Sequence, residues 1–424
     1  MAISLRNKYH INVILKLISV SALISILASF MAITLRKITE SYETIFSLRA
    51  AGFISFYFLF PLIGLTIIYF LRKYLFRNKG NKGIAEIFDC TRNVSSHLPA
   101  YKIPSHFING FFTVISGGST GIEVSTVVAS ATIGSLAQQK DNLFKKYKTE
   151  LICAGIAAGI TALFGSPLGG LLFCLEVISG KINKTLLLTN IIAVFVASML
   201  LYFLKEPSLF FIKLTTWHIY AIPYFILLGV LAGINSVFLT KSVLFFKSQF
   251  LKIKHSQNRI ISSSFIIGFS ILLLPVLYGD GYHGIKEILL HPNDSFTIKF
   301  FITILGVIIL KPIVTSVTLA SGGDGGVFAP SLVIGAFLGF FTATFLNTFF
   351  HANVIPVNFI IIGMAALLSA SIHAPFTAIF LVSSLVNNYT LFIPLLIVCL
   401  ISKYSAKYVY PYTVYSYKLK PTLG

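Results

Sequence analysis

Long apolar stretches, separated by short basic loops, run the length of this chain. Ile11–Thr34 and Ala50–Phe70 are each long enough to cross a hydrocarbon core of about 30 Å at about 1.5 Å per residue. Further apolar stretches are Leu151–Ile178, Leu186–Leu204, Ile219–Leu239, Ile260–Leu277, Phe300–Leu319, Ser331–Phe349, Phe359–Val386 and Leu391–Ile401. Gly and Pro interrupt several of them, so the pattern predicts roughly ten to twelve membrane segments, some broken. The basic start before Ile11 resembles that of a signal peptide. Its apolar run is too long for one, and a second span follows soon after, so it is expected to stay as a helix.

Composition narrows the class. Of 424 residues, 56% are hydrophobic and 11% are charged, with a mean hydropathy of +0.87. A water-facing domain carries about 25% charged residues, so a polytopic membrane protein is implied. The formal charge is +20. The cations gather between apolar stretches, as at Arg72, Lys73, Arg77, Lys79 and Lys82, or at Lys140, Lys145, Lys146 and Lys148. Such clusters anchor loops and follow the positive-inside bias, and nucleic-acid binding is not expected. The four cysteines form no CxxC pair, and no Walker, Rossmann or HExxH motif occurs. A disulfide framework, a zinc site and an ATP-driven pump are therefore not expected, and no cofactor is implied.

A duplication organises the chain. Ser116-Gly-Gly-Ser-Thr-Gly-Ile-Glu-Val-Ser-Thr matches Ser321-Gly-Gly-Asp-Gly-Gly-Val-Phe-Ala-Pro-Ser at an offset of 205 (Gly121 to Gly326). A second pair, around Pro167 and Pro375, follows in the same order at an offset of 208. Two ordered matches argue for two homologous halves, approximately 50–205 and 260–415, within one membrane domain spanning 1–424. Each half has a Gly-rich break that opens straight into an apolar helix. A break at membrane depth must satisfy its free amides. Helix N-termini carry about half a positive charge and unpaired N–H groups. Two of them meeting near the midplane form an anion site without a buried Lys or Arg. Tight packing of small residues is the competing explanation of the glycines.

Among 13 acids, Glu123 and Glu176 stand out from the loops. Glu123 lies inside the first break, where an ionisable group costs about 3 kcal/mol or more and is functional by default. There it can take the place of a permeant anion and act as a gate, a proton carrier, or both. A helix-capping carboxylate is the alternative. Glu176 ends an apolar run, and the expected role is structural, paired with Lys181 or Lys184.

These segments resemble the CLC family of chloride channels and chloride/proton exchangers over nearly the whole chain. Gly326-Val-Phe-Ala-Pro330 matches the GxFxP signature, which implies anion coordination by the amides of Val327 and Phe328. Gly121-Ile-Glu-Val-Ser125 aligns with GREGP, with Ile122, Val124 and Ser125 replacing the other positions, and puts Glu123 on the gating glutamate. Gly83-Ile-Ala-Glu-Ile87 resembles the end of GSGIP, adding Gly83 and Ile84 to the anion site. The central serine position falls on Lys82, or on Asn81 if Lys82 is an insertion; Lys82 is expected either at the anion site or in the basic loop facing water. Val414-Tyr415-Ser416 stands where the family has a pore-facing tyrosine, so Tyr415 is an anion ligand or part of an interfacial aromatic belt.

Ser166 to Glu176 matches another family segment. Many exchangers have two consecutive acids at its end, but here the pair is Glu176-Val177, which weakens the usual route for protons. By resemblance, the fold is all-α, an inverted repeat of broken, tilted helices. The resemblance also implies a homodimer in the cell membrane with one pore per chain, whose expected partners are lipid, small anions and, if coupled, protons. The paired domains that follow the membrane core in many eukaryotic members are not expected, which suggests a prokaryotic member in a bacterial inner membrane. Anion transport, not enzymatic chemistry, is the expected function, with chloride as the default ion and fluoride or nitrate as alternatives. A channel and a weakly coupled exchanger both fit. A non-transporting scaffold or anion sensor is the rival from another class.

Overall fold

The computed structural model describes residues 2–77, 81, 83–93, 95–141, 143–207, 209–210, 212, 216–291 and 297–417, with side chains from Ile11 onward except that of Lys299. Among these residues there are sixteen α-helices and no strand. The first eight are α1 (Ala2–Gly52), α2 (Phe56–Phe70), α3 (Ile84–Arg92), α4 (Lys102–Ile115), α5 (Glu123–Gln139), α6 (Lys148–Phe164), α7 (Pro167–Phe173) and α8 (Lys184–Phe203). The second eight are α9 (Ile222–Leu251), α10 (Ser256–Leu273), α11 (Tyr282–Leu290), α12 (Ile298–Ser321), α13 (Phe328–Phe350), α14 (Pro356–Ile372), α15 (Pro375–Leu385) and α16 (Phe392–Val409).

Eight helical segments are long and apolar enough to cross a membrane, and three shorter apolar helices accompany them. The protein is therefore a multi-pass, all-α membrane protein. The helices differ from the expected spans in two ways. The first helix continues past Thr34 to Gly52, so the stretch beginning at Ala50 starts its own helix only at Phe56. The stretches Leu151–Ile178 and Phe359–Val386 are each two helices. Both break at a residue in the left-handed region, Gly165 (φ 64°) and His373 (φ 57°), and a proline opens the next helix at Pro167 or Pro375. Proline fits the first helical turn because its missing N–H would have no partner there.

The inverted repeat is visible at one contact. Gly121 and Gly326 form an antiparallel bridge, a residue paired with its own counterpart in the other half. Antiparallel pairing of equivalent residues puts a local two-fold axis between them. Around that axis α4 and α12 each run into a Gly-rich break, α5 and α13 each start out of it, and α6 and α14 pack tightly on those helices. One continuous apolar core spans both halves, with Val124, Val127, Ile156, Val327, Phe328, Leu332 and Ile361 at its centre. The outer helices α8 and α9 leave Ile191, Phe195, Met199, Ile226 and Ile234 exposed, as a lipid-facing surface requires.

Candidate functional site

The bridge brings the N-termini of α5 and α13 together. Ile122 is the N-cap of α5 and Val327 that of α13, and neither cap carries a side-chain hydrogen bond. The first amides of both helices are thus left facing the break. Pro330 sits in the first turn of α13, where it removes no needed donor. A third N-terminus joins them. Gly83 caps α3, Ile84 opens it, and a Cβ placed on Gly83 would lie 3.6 Å from Val124 on α5.

Tyr415 closes this group. The turn that carries it is locked by Thr413, whose Oγ1 accepts the N–H of Tyr415 (3.2 Å) and of Ser416 (3.1 Å). The ring lies 6.5 Å from that of Phe328, and the hydroxyl would stand 3.3 Å from a Cβ on Gly326. It faces the N–H of Val327, yet among the described residues it has no hydrogen-bond partner. A buried hydroxyl left unpaired beside free helix amides can donate to a ligand between them. The structure thus brings Gly83, Ile84, Val327, Phe328 and Tyr415 around one spot. Lys82 lies outside the described residues. Asn81 is turned away, with its Nδ2 donating to Asp324 Oδ2 (2.6 Å) and to Ser105 Oγ (3.2 Å).

Glu123 is 2% exposed and is the first residue of α5. Its carboxylate folds back over the break and fills the space that a Cβ on Gly121 would occupy. Glycine at 121 is what lets the carboxylate approach the backbone so closely. The N–H groups of Glu123 itself and of Ala329 are directed at the carboxylate, so the positive ends of both α5 and α13 act on it. Oε1 accepts a 2.7 Å hydrogen bond from the Tyr282 hydroxyl, while Oε2 has no hydrogen-bond partner among the described residues.

Tyr282 escaped the sequence analysis, as did a second buried carboxylate, Asp324. Asp324 lies in the second break among charge-balancing partners. His106 Nδ1 is 3.0 Å from Oδ1, Arg72 Nη2 is 3.9 Å from Oδ2, and Ser125 Oγ donates at 3.3 Å. Its backbone N–H donates to Thr113 Oγ1 at 2.9 Å. This network ties the π-helical turn Leu71–Leu75, the approach to α3, and α4 and α5 to the second break. A readable signal was the one acid among the glycines of that break. Lys311, a single cation inside the apolar stretch Phe300–Leu319, was another.

Glu176 does not pair with Lys181 or Lys184. Its Oε2 accepts the N–H (2.7 Å) and the hydroxyl (2.7 Å) of Thr377, and its Oε1 the N–H of Phe376 (3.3 Å). It caps the start of α15 across the two halves, because free amides at a helix N-terminus are fixed donors and flexible lysines in water are not.

The family model described as "Voltage gated chloride channel" matches residues 63–407. The chain is 30% identical over 384 residues to the H(+)/Cl(-) exchange transporter ClcA of Cronobacter sakazakii (strain ATCC BAA-894), covering 87% of this chain and 80% of that protein. It is 29% identical over 372 residues to the H(+)/Cl(-) exchange transporter ClcA of Vibrio parahaemolyticus serotype O3:K6 (strain RIMD 2210633), covering 84% of this chain and 77% of that one. A solved CLC-type fluoride/proton antiporter superposes with a TM-score of 0.79 at 22% identity, covering 94% of this chain and 96% of the other. A slow cyanobacterial Cl-/H+ antiporter superposes with a TM-score of 0.78 at 21% identity, covering 96% and 97%. These two likenesses share the fold.

Proposed function

The chain belongs to the voltage-gated chloride channel family, and from that premise we propose that it exchanges small anions, chloride first among them, against protons across a membrane, with Glu123 as the gate. One observation carries this reading: the Glu123 carboxylate is lodged against the paired glycine breaks, under the N-termini of α5 and α13. A carboxylate there and a permeant anion compete for the same amides. Protonation discharges Glu123, weakens its hold on the helix ends and frees the place for an anion. The anion then rests between the amides of Gly83, Ile84, Val327 and Phe328 and the Tyr415 hydroxyl. Gly121, Ile122, Gly326 and Pro330 shape the breaks, and Glu176 holds α15.

Val177 supports loose coupling, since it offers no carboxyl next to Glu176 to relay a proton. The assembly we propose is a homodimer in a bacterial inner membrane. One pore per chain is part of the same proposal and rests on the resemblance to the family. The similar curated proteins are named as transporters, and no enzymatic step enters this reading.

Purified protein in chloride-loaded liposomes tests it. Chloride leaves faster than from protein-free liposomes, and protons enter as it leaves. Glu123→Gln keeps chloride flux and abolishes proton flux. Absence of efflux for chloride, fluoride and nitrate alike would leave the scaffold reading standing.

A further inference from the structure

Between Glu123 and the surface lies a second set of ionisable groups that the transport reading leaves unused. An open cleft of about 580 Å³ is lined by Glu40, Glu43, Asp280, Tyr282, Lys286 and Glu287, among others. A small cavity of about 20 Å³ lies directly against Glu123. That volume holds about one water. Glu40, Leu209, Asp280 and Tyr282 line both spaces, and of the two carboxylates Glu40 is exposed and Asp280 buried, so Asp280 and Tyr282 stand at the throat between the cleft and the gate.

The throat is built, not incidental. Asp280 is buried; its Oδ1 accepts the Tyr282 N–H at 2.8 Å, and its own N–H donates to Glu43 Oε1 at 3.0 Å. Lys311, on α12, is 0% exposed and donates to the carbonyls of Gly279 (3.0 Å) and Leu277 (3.4 Å). The groups acting on Asp280 are Glu43 from α1, Lys286 from α11 and Lys311 from α12, with the Glu40 and Glu123 carboxylates and the Tyr282 hydroxyl also nearby. Arg36 also borders the small cavity, and its guanidinium donates at 2.6 Å to Glu206, a carboxylate it shares with Lys37. The approach to the gate therefore carries more carboxylates than free cations. Such a surface repels anions and collects protons. Its inner end is Glu123 Oε2, which has no hydrogen-bond partner among the described residues, on a side chain only 2% exposed.

We propose that Asp280 is the proton-loading carboxylate for Glu123. Its carboxylate takes a proton from water in the cleft. The proton passes through the small cavity to the Glu123 carboxylate, which becomes neutral while Asp280 regains its charge. Tyr282 holds the receiving group in line. The inference rests on the reading of Glu123 as a proton-carrying gate.

Asp280→Asn tests it, since asparagine keeps an Oδ1 acceptor for the Tyr282 N–H. Proton flux in liposomes falls at least about tenfold, and its dependence on the pH of the cleft side flattens. Placed in the Glu123→Gln background, the same change leaves chloride flux unaltered, because no proton then has to be delivered. Asp280→Glu restores proton flux, whereas Asp280→Ser, which keeps a hydroxyl acceptor, does not; this second pair serves if the Asn variant does not fold. Undiminished proton flux in Asp280→Asn overturns the assignment. So does an equal slowing of chloride in the Glu123→Gln background, and so does equal behaviour of the Glu and Ser variants. Wild-type protein that moves chloride without protons overturns the exchange reading itself, and that outcome is visible before any variant is made.

Discussion

The Tyr282 hydroxyl donates to Glu123 Oε1 across 2.7 Å, from a helix that starts 159 residues further along the chain. A phenol bonded to a carboxylate steadies it by about 1.5–3 kcal/mol. With Glu123 as the proposed gate, Tyr282 is a positioning residue that latches it.

Removing only the latch isolates its effect. Tyr282→Phe keeps the ring and its contact with Phe210 and deletes the bond. Passive chloride efflux from liposomes rises by about tenfold, as loss of such a bond implies, and the melting temperature in detergent stays within a few degrees. Efflux at or below the parent rate would show that the bond does not restrain the gate.

Gly121→Ala reaches the same carboxylate from the other side. The added methyl takes the space in which the Glu123 carboxylate rests. A flexible side chain yields before backbone does, so the carboxylate is expelled and the protein still folds. The variant resembles Glu123→Gln in having chloride flux that no longer depends on pH. Retention of the parent's pH profile would place the carboxylate elsewhere.

Tyr415→Phe addresses the anion itself. The hydroxyl is buried without a partner, so its removal does not destabilise the empty protein. Chloride affinity by titration calorimetry falls by about tenfold to a hundredfold, the worth of one hydrogen bond to a charge. Unchanged affinity would assign Tyr415 to packing against Phe328.

Asp324→Ala has a different signature. It leaves Arg72 inside the protein without its counter-charge and His106 without its hydrogen-bond partner, and it frees Asn81. Breaking a buried pair on one side costs about 3–5 kcal/mol. The variant unfolds at clearly lower temperature, and Asp324→Asn, which keeps hydrogen-bonding capacity, loses less. Equal melting temperatures for parent and Ala variant would mean that the network holds nothing together.

Much of this was legible in the chain. The offset between Gly121 and Gly326 announced two related halves, and the glycines around Glu123 announced a backbone break with a charge in it. Periodicity could not show that Phe164–Pro167 and Ile372–Pro375 interrupt apolar runs, because a single left-handed residue leaves the hydropathy unchanged. Nor could it find Tyr282 and Asp280. Each is an ordinary residue at its own position, and its meaning comes from the approach of the start of α11 to Glu123 on α5. Glu176 was given the wrong partner for the same reason: the amides of Phe376 and Thr377 are close in space and 200 residues away in sequence.

The bridge between the two breaks also has a mechanical meaning. Strand-like pairing at Gly121 and Gly326 staples the two halves at their shared axis, so neither half can pivot away from the other without tearing its own ion cradle. Transport by large swings of one half against the other is thereby disfavoured. The moving part is reduced to something the size of a single side chain, and the rest of the molecule serves as a stationary frame around it.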